Sequence, residues 1–126
     1  MRIAQVAPLC ERCPPQFYRG TERVVSYLSE ELVRQGHDVT LFASGDSRTR
    51  ARLRPIGQRA RRLDPQCQDR FAHYLVMLHR VLCSADDFEI IHSHTWYLHF
   101  PLFADRWTQT LNTLHGRLLL CAYGSR

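Results

Sequence analysis

The chain has no lysine: all 17 of its basic residues are arginine, a bias that fits GC-rich coding. It has no apolar run approaching the roughly 20 residues a membrane-spanning helix needs, which excludes a helical span. Its opening, Met1-Arg2-Ile3-Ala4-Gln5-Val6-Ala7, is too short and too soon interrupted for a secretory signal, so a cytoplasmic location is expected. It has no internal repeat, no low-complexity tract and no flexible linker, and 126 residues fit one domain better than two. Neither G-x-G-x-x-G nor G-x-x-x-x-G-K-[ST] occurs. The usual dinucleotide and mononucleotide fingerprints are therefore missing, and a dehydrogenase loses most of its support.

Cysteine is present but in an odd number, at positions 10, 13, 67, 83 and 121, with irregular spacing. A disulfide framework is not expected from that pattern. Cys10 and Cys13 have the C-x-x-C spacing of a redox or zinc pair. No second pair stands at zinc-finger spacing, and Pro14-Pro15 follows where a thioredoxin-type pair would open a helix. They read as incidental loop cysteines.

What is present suits a packed domain. The hydrophobic share is 44%, and a chain of this size buries roughly two-thirds of its unfolded surface. The formal charge is +5, and nine arginines fall between Arg48 and Arg80. Such a stretch can serve nucleic acid, an anionic membrane surface or a phosphorylated ligand, or it can be a solvated face. No aromatics interleave with it as a base-stacking platform requires, so nucleic acid is not the expected partner.

The apolar runs alternate between two periods. Residues 3–7 read as a buried strand, and Pro8, Pro14 and Pro15 then force a loop. Gly20-Thr21-Glu22 opens a helix of about 15 residues, or roughly 22 Å. Val24, Val25, Leu28, Leu32 and Val33 form its apolar stripe, and Gly36 is its left-handed stop. Residues 39–43 read as a second strand, with a short strand near 53–56. A second helix covers 69–84, with Phe71, Leu75, Leu78, Val81 and Leu82 facing inward. Residues 88–91 form another strand, a short helix or turn spans 97–103, and 110–114 is the last strand. Strands separated by helices imply a parallel sheet with helices on both faces, a Rossmann-like α/β fold. Ligands of such sheets bind beyond the carboxyl ends of the strands. That directs attention to the loops at 8–20, 44–47, 92–99 and 115–117.

The first of these loops leads into a helix N-terminus, which suits anions. His92, His94, His99 and His115 lie at or just past two predicted strand ends. Neutral imidazole donates or accepts, so it suits sugar hydroxyls and proton transfer alike. His92 and His94 point to the same side of an extended strand. A His-x-His pair can also begin a metal site, but no third ligand is identifiable by spacing, and none is expected.

Four segments carry a resemblance. Pro14-Pro15-Gln16-Phe17-Tyr18-Arg19-Gly20-Thr21-Glu22-Arg23-Val24-Val25 resembles the first loop and helix of family 4 glycosyltransferases. The likeness continues in residues 32–46, then in Ile90-Ile91-His92-Ser93-His94 and in Thr113-Leu114-His115-Gly116. It covers about residues 1 to 118 and rests on four motifs in order rather than on any one.

The resemblance implies a retaining enzyme of GT-B architecture. Two Rossmann-like domains face a cleft, the N-terminal one binding mainly the acceptor and the C-terminal one the sugar nucleotide. Transfer needs no metal ion or other cofactor, since the sugar nucleotide is a co-substrate. Closing the cleft aligns the reactants and excludes water. By position, Gly20 falls in the glycine loop that approaches the donor, with Arg19 and Thr21 beside it as substrate-binding residues. His94 matches the strand-end histidine, with His92 next to it. His115 and Gly116 match the turn that reaches the transferred sugar, and His94 and His115 are the expected catalytic residues.

Two departures from the family pattern stand out. Arg19-Gly20 replaces a pair of glycines, and the arginine either crowds the backbone approach or binds phosphate. After Leu118 the pattern fails. The expected division is therefore an incomplete N-terminal domain over 1–118 and a divergent tail over 119–126. Without a donor-binding half the chain alone is expected to be inactive. The alternatives are a non-enzymatic module for saccharide or phosphate ligands and, on charge alone, a nucleic-acid binder. The apolar run Leu118 to Cys121 near a sheet edge predicts self-association.

Overall fold

The computed structural model describes residues 1–17 and 20–116, so Arg19 and the run from Leu118 to Cys121 lie outside the described residues. Five strands and two long helices alternate: β1 Arg2–Val6, α1 Gly20–Arg34, β2 Asp38–Ser44, β3 Arg52–Ile56, α2 Arg70–Cys83, β4 Ile90–Ser93 and β5 Thr110–Asn112. Short 3₁₀ turns occupy Arg61–Leu63, Ala85–Asp87 and Ala104–Gln109. The strands make one sheet in the order β3-β2-β1-β4-β5, and every pairing is parallel. The Rossmann-like expectation holds.

The chain winds outward from β1 to β2 and β3, then returns to the other side of β1 for β4 and β5. The loops after β1 and β4 therefore diverge, and a crevice opens between them at the strands' carboxyl ends. Strand alternation sends Ala4 and Val6 to one face and Gln5 and Ala7 to the other. Ala4, Val6, Phe42 and Ile91 pack with Tyr74, Met77, Leu78 and Val81 of α2. Ala7, Leu41 and Ala43 pack with Val25 of α1. Helices thus cover both faces, and α1 lies over the β2 half of its face.

The stop of α1 matches the sequence reading. Gly36 has a φ of +90°, its N–H reaches the Val33 carbonyl at 3.0 Å, and the His37 N–H reaches that of Leu32 at 3.1 Å. These are the two bonds of a Schellman cap. Gly45, past the end of β2, has another cause. A Cβ there would stand 2.5 Å from the Gly57 carbonyl oxygen, so two loops meet backbone to backbone.

The inward faces of both helices differ from the expected stripes. In α2, Tyr74, Met77, Leu78 and Val81 are buried, while Phe71 is 65% and Leu75 55% exposed. The cause is Tyr74, which buries its ring and satisfies its hydroxyl on the Leu9 N–H at 3.1 Å. In α1 the fully buried positions are Glu22, Val25, Ser26 and Ser29, and Val24 is exposed. The last strand also ends at Asn112 rather than 114, and the 97–103 segment is a series of turns leading into the last 3₁₀ turn.

Candidate functional site

Register creates the centre of the site. The pairing of β1 with β4 sets Gln5 beside His92. Past the end of β4, the His94 N–H donates to the Val6 carbonyl at 3.0 Å, and the Thr113 N–H donates to the Ser93 carbonyl at 3.0 Å. These two bonds carry the parallel ladders into the loops. They bring Gln5, His92, His94, Thr113 and His115 together, on the same face of the sheet as α1 by strand alternation.

The five side chains form a continuous hydrogen-bonded chain. His115 Nε2 lies 2.8 Å from His94 Nδ1, and His94 Nε2 lies 2.8 Å from Gln5 Oε1. Gln5 Nε2 is 3.3 Å from His92 Nδ1, and His92 Nε2 is 2.7 Å from Thr113 Oγ1. The amide orientation fixes a direction, assigned from the network. The Gln5 oxygen must accept from His94 Nε2–H, which leaves His94 Nδ1 to accept from His115 Nε2–H. The Gln5 amide donates to His92 Nδ1, so His92 Nε2–H donates to Thr113. All three imidazoles are then neutral Nε2–H tautomers, and His115 Nδ1 remains as an acceptor outside the chain.

The electrostatics agree with neutral rings. Burial lowers the pKa of His94 to about 3, with His92 and His115 adding repulsion. His92 is lowered by burial and then by His115, and His115 is lowered by burial alone. The rings crowd accordingly: His92 and His94 have centroids 4.1 Å apart, and His94 and His115 5.1 Å apart in a stacked arrangement. Each would lose solvation and meet a neighbour's charge on protonation.

His115 opens onto a cleft of about 410 Å³ whose other walls include Gly20, Thr21, Glu22, Cys10 and Trp96. Gly20, Thr21 and Glu22, the first residues of α1, form one side, so the positive end of the helix dipole borders this space. Gly20 exposes bare backbone there, since a Cβ on it meets nothing within 4 Å. A Cβ on Gly116, next to His115, would likewise meet nothing within 4 Å. Trp96 has a φ of +54°, a strained conformation for a tryptophan, and its side chain is 42% exposed.

The expected site residues therefore divide. Gly20, Thr21 and His115 share the cleft, and His94 and His92 stand behind His115 in the hydrogen-bonded chain. Gly116 follows His115 with open space above it. His99 does not join them: it is buried against Phe100 and Phe103, with its Nδ1 3.1 Å from Ser93 Oγ. Sequence reasoning missed Gln5, Trp96 and the buried Glu22. A lone glutamine inside an apolar strand was the available signal for Gln5.

Cys10 and Cys13 do not act as a pair. Cys13 is fully buried in the core beside Ala7 and Val25, and burial, with Glu22 and Asp46, pushes its thiol up to about 12. It stays protonated and unreactive. Cys10 lines the cleft instead. Among the described residues, no group of three or more His, Cys, Asp or Glu is placed to hold a metal ion. No helix among them is long and apolar enough to cross a membrane.

Comparison with solved structures gives ten matching chains. One is AviGT4, described as a glycosyltransferase involved in Avilamycin A biosynthesis, with 27% identity over 75% of this chain and a TM-score of 0.51. The match spans 26% of the AviGT4 chain. No curated protein matches. The model of Glycosyltransferase Family 4 matches residues 18–124, which take in α1, the whole of the sheet except β1, and His92, His94 and His115. The chain belongs to glycosyltransferase family 4.

Proposed function

We propose that residues 1–118 form the acceptor-side domain of a retaining glycosyltransferase that uses a sugar nucleotide as donor, with 119–126 a divergent tail. The observation that carries the reading is the cleft itself, where the N-terminus of α1 and His115 form facing walls around 410 Å³. An N–H-rich helix end suits the donor's phosphates. A neutral histidine suits a sugar hydroxyl. His115 accepts a hydrogen bond from that hydroxyl at Nδ1, and His94 and Gln5 hold its ring in that orientation. Gly20 and Gly116 leave room for the sugar to approach backbone, and Arg19 and Thr21 contact the donor side.

Transfer itself requires a donor-binding domain closing on this cleft, as in other two-domain transferases that exclude water by closure. The 126 residues alone are expected to bind saccharide without transferring it. The four cysteines among the described residues are free thiols, which suits a cytoplasmic setting.

The test is calorimetry of the chain with mono- and oligosaccharides, alongside mass-spectrometric detection of products from sugar nucleotides. Saccharide binding that His115→Ala abolishes supports the reading. Sugar transfer by the chain alone refutes the division of labour, and no saccharide binding refutes the acceptor role. A second reading, a non-enzymatic saccharide- or phosphate-binding module, is favoured by the arginines near the cleft. It differs in predicting that no added donor domain confers transfer.

A further inference from the structure

The cleft continues past Trp96. A second cavity of about 280 Å³ adjoins it through Cys10 and Trp96 and is lined by Phe71, Tyr74, Tyr97 and Leu98, together with Arg61 and Arg70. A third, of about 220 Å³, is bounded by Arg61, Arg62, Arg70 and Cys10. Cys10 lines all three, Trp96 the first two, and Arg61 and Arg70 the last two. The result is one groove with a histidine end, an aromatic middle and an arginine end.

Local structure builds the arginine end deliberately. The Arg61 N–H donates to the Leu9 carbonyl at 3.0 Å and the Arg62 N–H to that of Cys10 at 3.2 Å, which pins the 3₁₀ turn onto the first loop. Asp69 caps α2 through the Phe71 and Ala72 N–H groups, so its carboxylate is committed and Arg70 stands at the helix start. One acid answers the three arginines: Glu11, fully buried, holds Arg62 at 3.1 Å. Arg61 lies over the Tyr74 ring at 4.9 Å, and its Nε–H is buried with no partner.

Arg61 and Arg70 therefore have no carboxylate partner among the described residues, and Arg61, whose Nη1 donates to the Arg70 carbonyl at 2.5 Å, keeps an unused donor at Nε. Planar forks of this kind match the oxygens of phosphate better than they match water. The aromatic middle suits an apolar or ring-shaped part, and the exposed Trp96 face stands between it and His115. Cavities of about 280 and 220 Å³ suit a small soluble molecule.

We propose that this groove binds an acceptor carrying a phosphate ester, its anionic head at Arg61, Arg62 and Arg70, its apolar part across Tyr74 and Trp96, and its hydroxyls toward His115. The assignment rests on the reading of the cleft as the acceptor's. The phosphate subsite itself is testable without it.

The experiment is calorimetry of the whole chain with phenyl phosphate, inorganic phosphate and phenyl glucoside at two salt concentrations. Phenyl phosphate should bind at least tenfold more tightly than inorganic phosphate and should weaken as salt rises. Arg70→Gln, on the exposed surface, should reduce its affinity about tenfold, and Arg61→Gln at least as much. Arg52→Gln, on the β3 edge, should leave it unchanged. No binding of phenyl phosphate overturns the proposal, and so does an equal loss in Arg52→Gln, which would indicate diffuse charge. Loss of phosphate binding with saccharide binding intact sinks the anionic subsite alone. Phosphate binding without saccharide binding sinks the acceptor reading and leaves the subsite.

Discussion

Replacing Gln5 by leucine tests whether the histidine chain is a connected network. Gln5 is fully buried in the central strand, and leucine has a similar volume, so the change opens no cavity. What it removes is polar. His94, 2% exposed, loses the acceptor for its Nε2–H at 2.8 Å, and His92 loses the donor to its Nδ1 at 3.3 Å. A buried group left unpaired costs about 1–3 kcal/mol. The shorter bond takes the upper part of that range and the longer one the lower, which gives about 3 kcal/mol together. For a domain of this size each kcal/mol moves Tm by roughly 4 °C, so the midpoint should fall by about 12 °C. Thermal and urea unfolding followed by circular dichroism measure it. A loss below about 1 kcal/mol refutes the network.

Nitrogen-15 NMR of the imidazoles reads the direction of the chain in the same protein. All three rings should be Nε2–H tautomers. Gln5→Glu, which offers two acceptors and no donor, should convert His92 to the Nδ1–H form and leave His94 as it is. If His94 changes and His92 does not, the chain runs the other way, and His115 presents a donor rather than an acceptor to the cleft.

Three further outcomes are expected. Stability should decline as pH falls below about 6.5, because the unfolded chain protonates histidines whose folded pKa values are lowered, His94 to about 3. The decline is at most about 1.4 kcal/mol per pH unit for each such histidine and is absent above neutrality; flat stability between pH 6.5 and 4 contradicts it. Gly20→Ala should fold with unchanged or slightly higher Tm, since its Cβ meets nothing and alanine favours a helix. It should nevertheless weaken ligand binding in the cleft by calorimetry; undiminished affinity removes Gly20 from the site. Finally, the chain should self-associate along β5. The β3 edge carries Pro55, Arg52 and Arg54, whereas β5 has no neighbour on its outer side among the described residues and leaves Leu111 52% exposed. Light scattering should show oligomers that Leu111→Lys reduces, and a monodisperse monomer at high concentration refutes this.

The strands and helix ends were legible because their signals are local. The run at 3–7, the Gly36 stop and the apolar strand at 39–43 each carry their own cause within a few residues. The inward faces were less legible. Scoring by hydropathy favours Phe71 and Leu75 over Tyr74, but Tyr74 buries its ring because a partner for its hydroxyl, the Leu9 N–H, lies 65 residues away. The buried face of α1 was hidden for a similar reason, since Glu22 reaches the Glu11 N–H at 3.3 Å. The site was half legible. His92, His94 and His115 stand out by type and by position at strand ends. Gln5 meets them only through the register of β1 on β4, a relation between residues 87 apart that neither segment contains.

That register explains why stability and chemistry meet at one point. The sheet changes its winding direction between β1 and β4, which opens the crevice, and the β4 and β5 half of the α1 face is open at its edge, where Leu111 is 52% exposed. An apolar seam across β1, β4 and β5 would hold that half as well, but it would offer nothing to a ligand. The chain from Thr113 through His92, Gln5 and His94 to His115 ties the same three strands together with directional bonds. Its last member faces the cleft. The orientation of His115 is thus secured by the bonds that hold the strands in register, and it cannot relax without loosening the sheet. A substitution that merely loosens packing elsewhere should lower Tm and spare binding. A lesion at Gln5 should remove both together, and that joint loss is what separates a positioning residue from a structural one when paired with the tautomer change at His92.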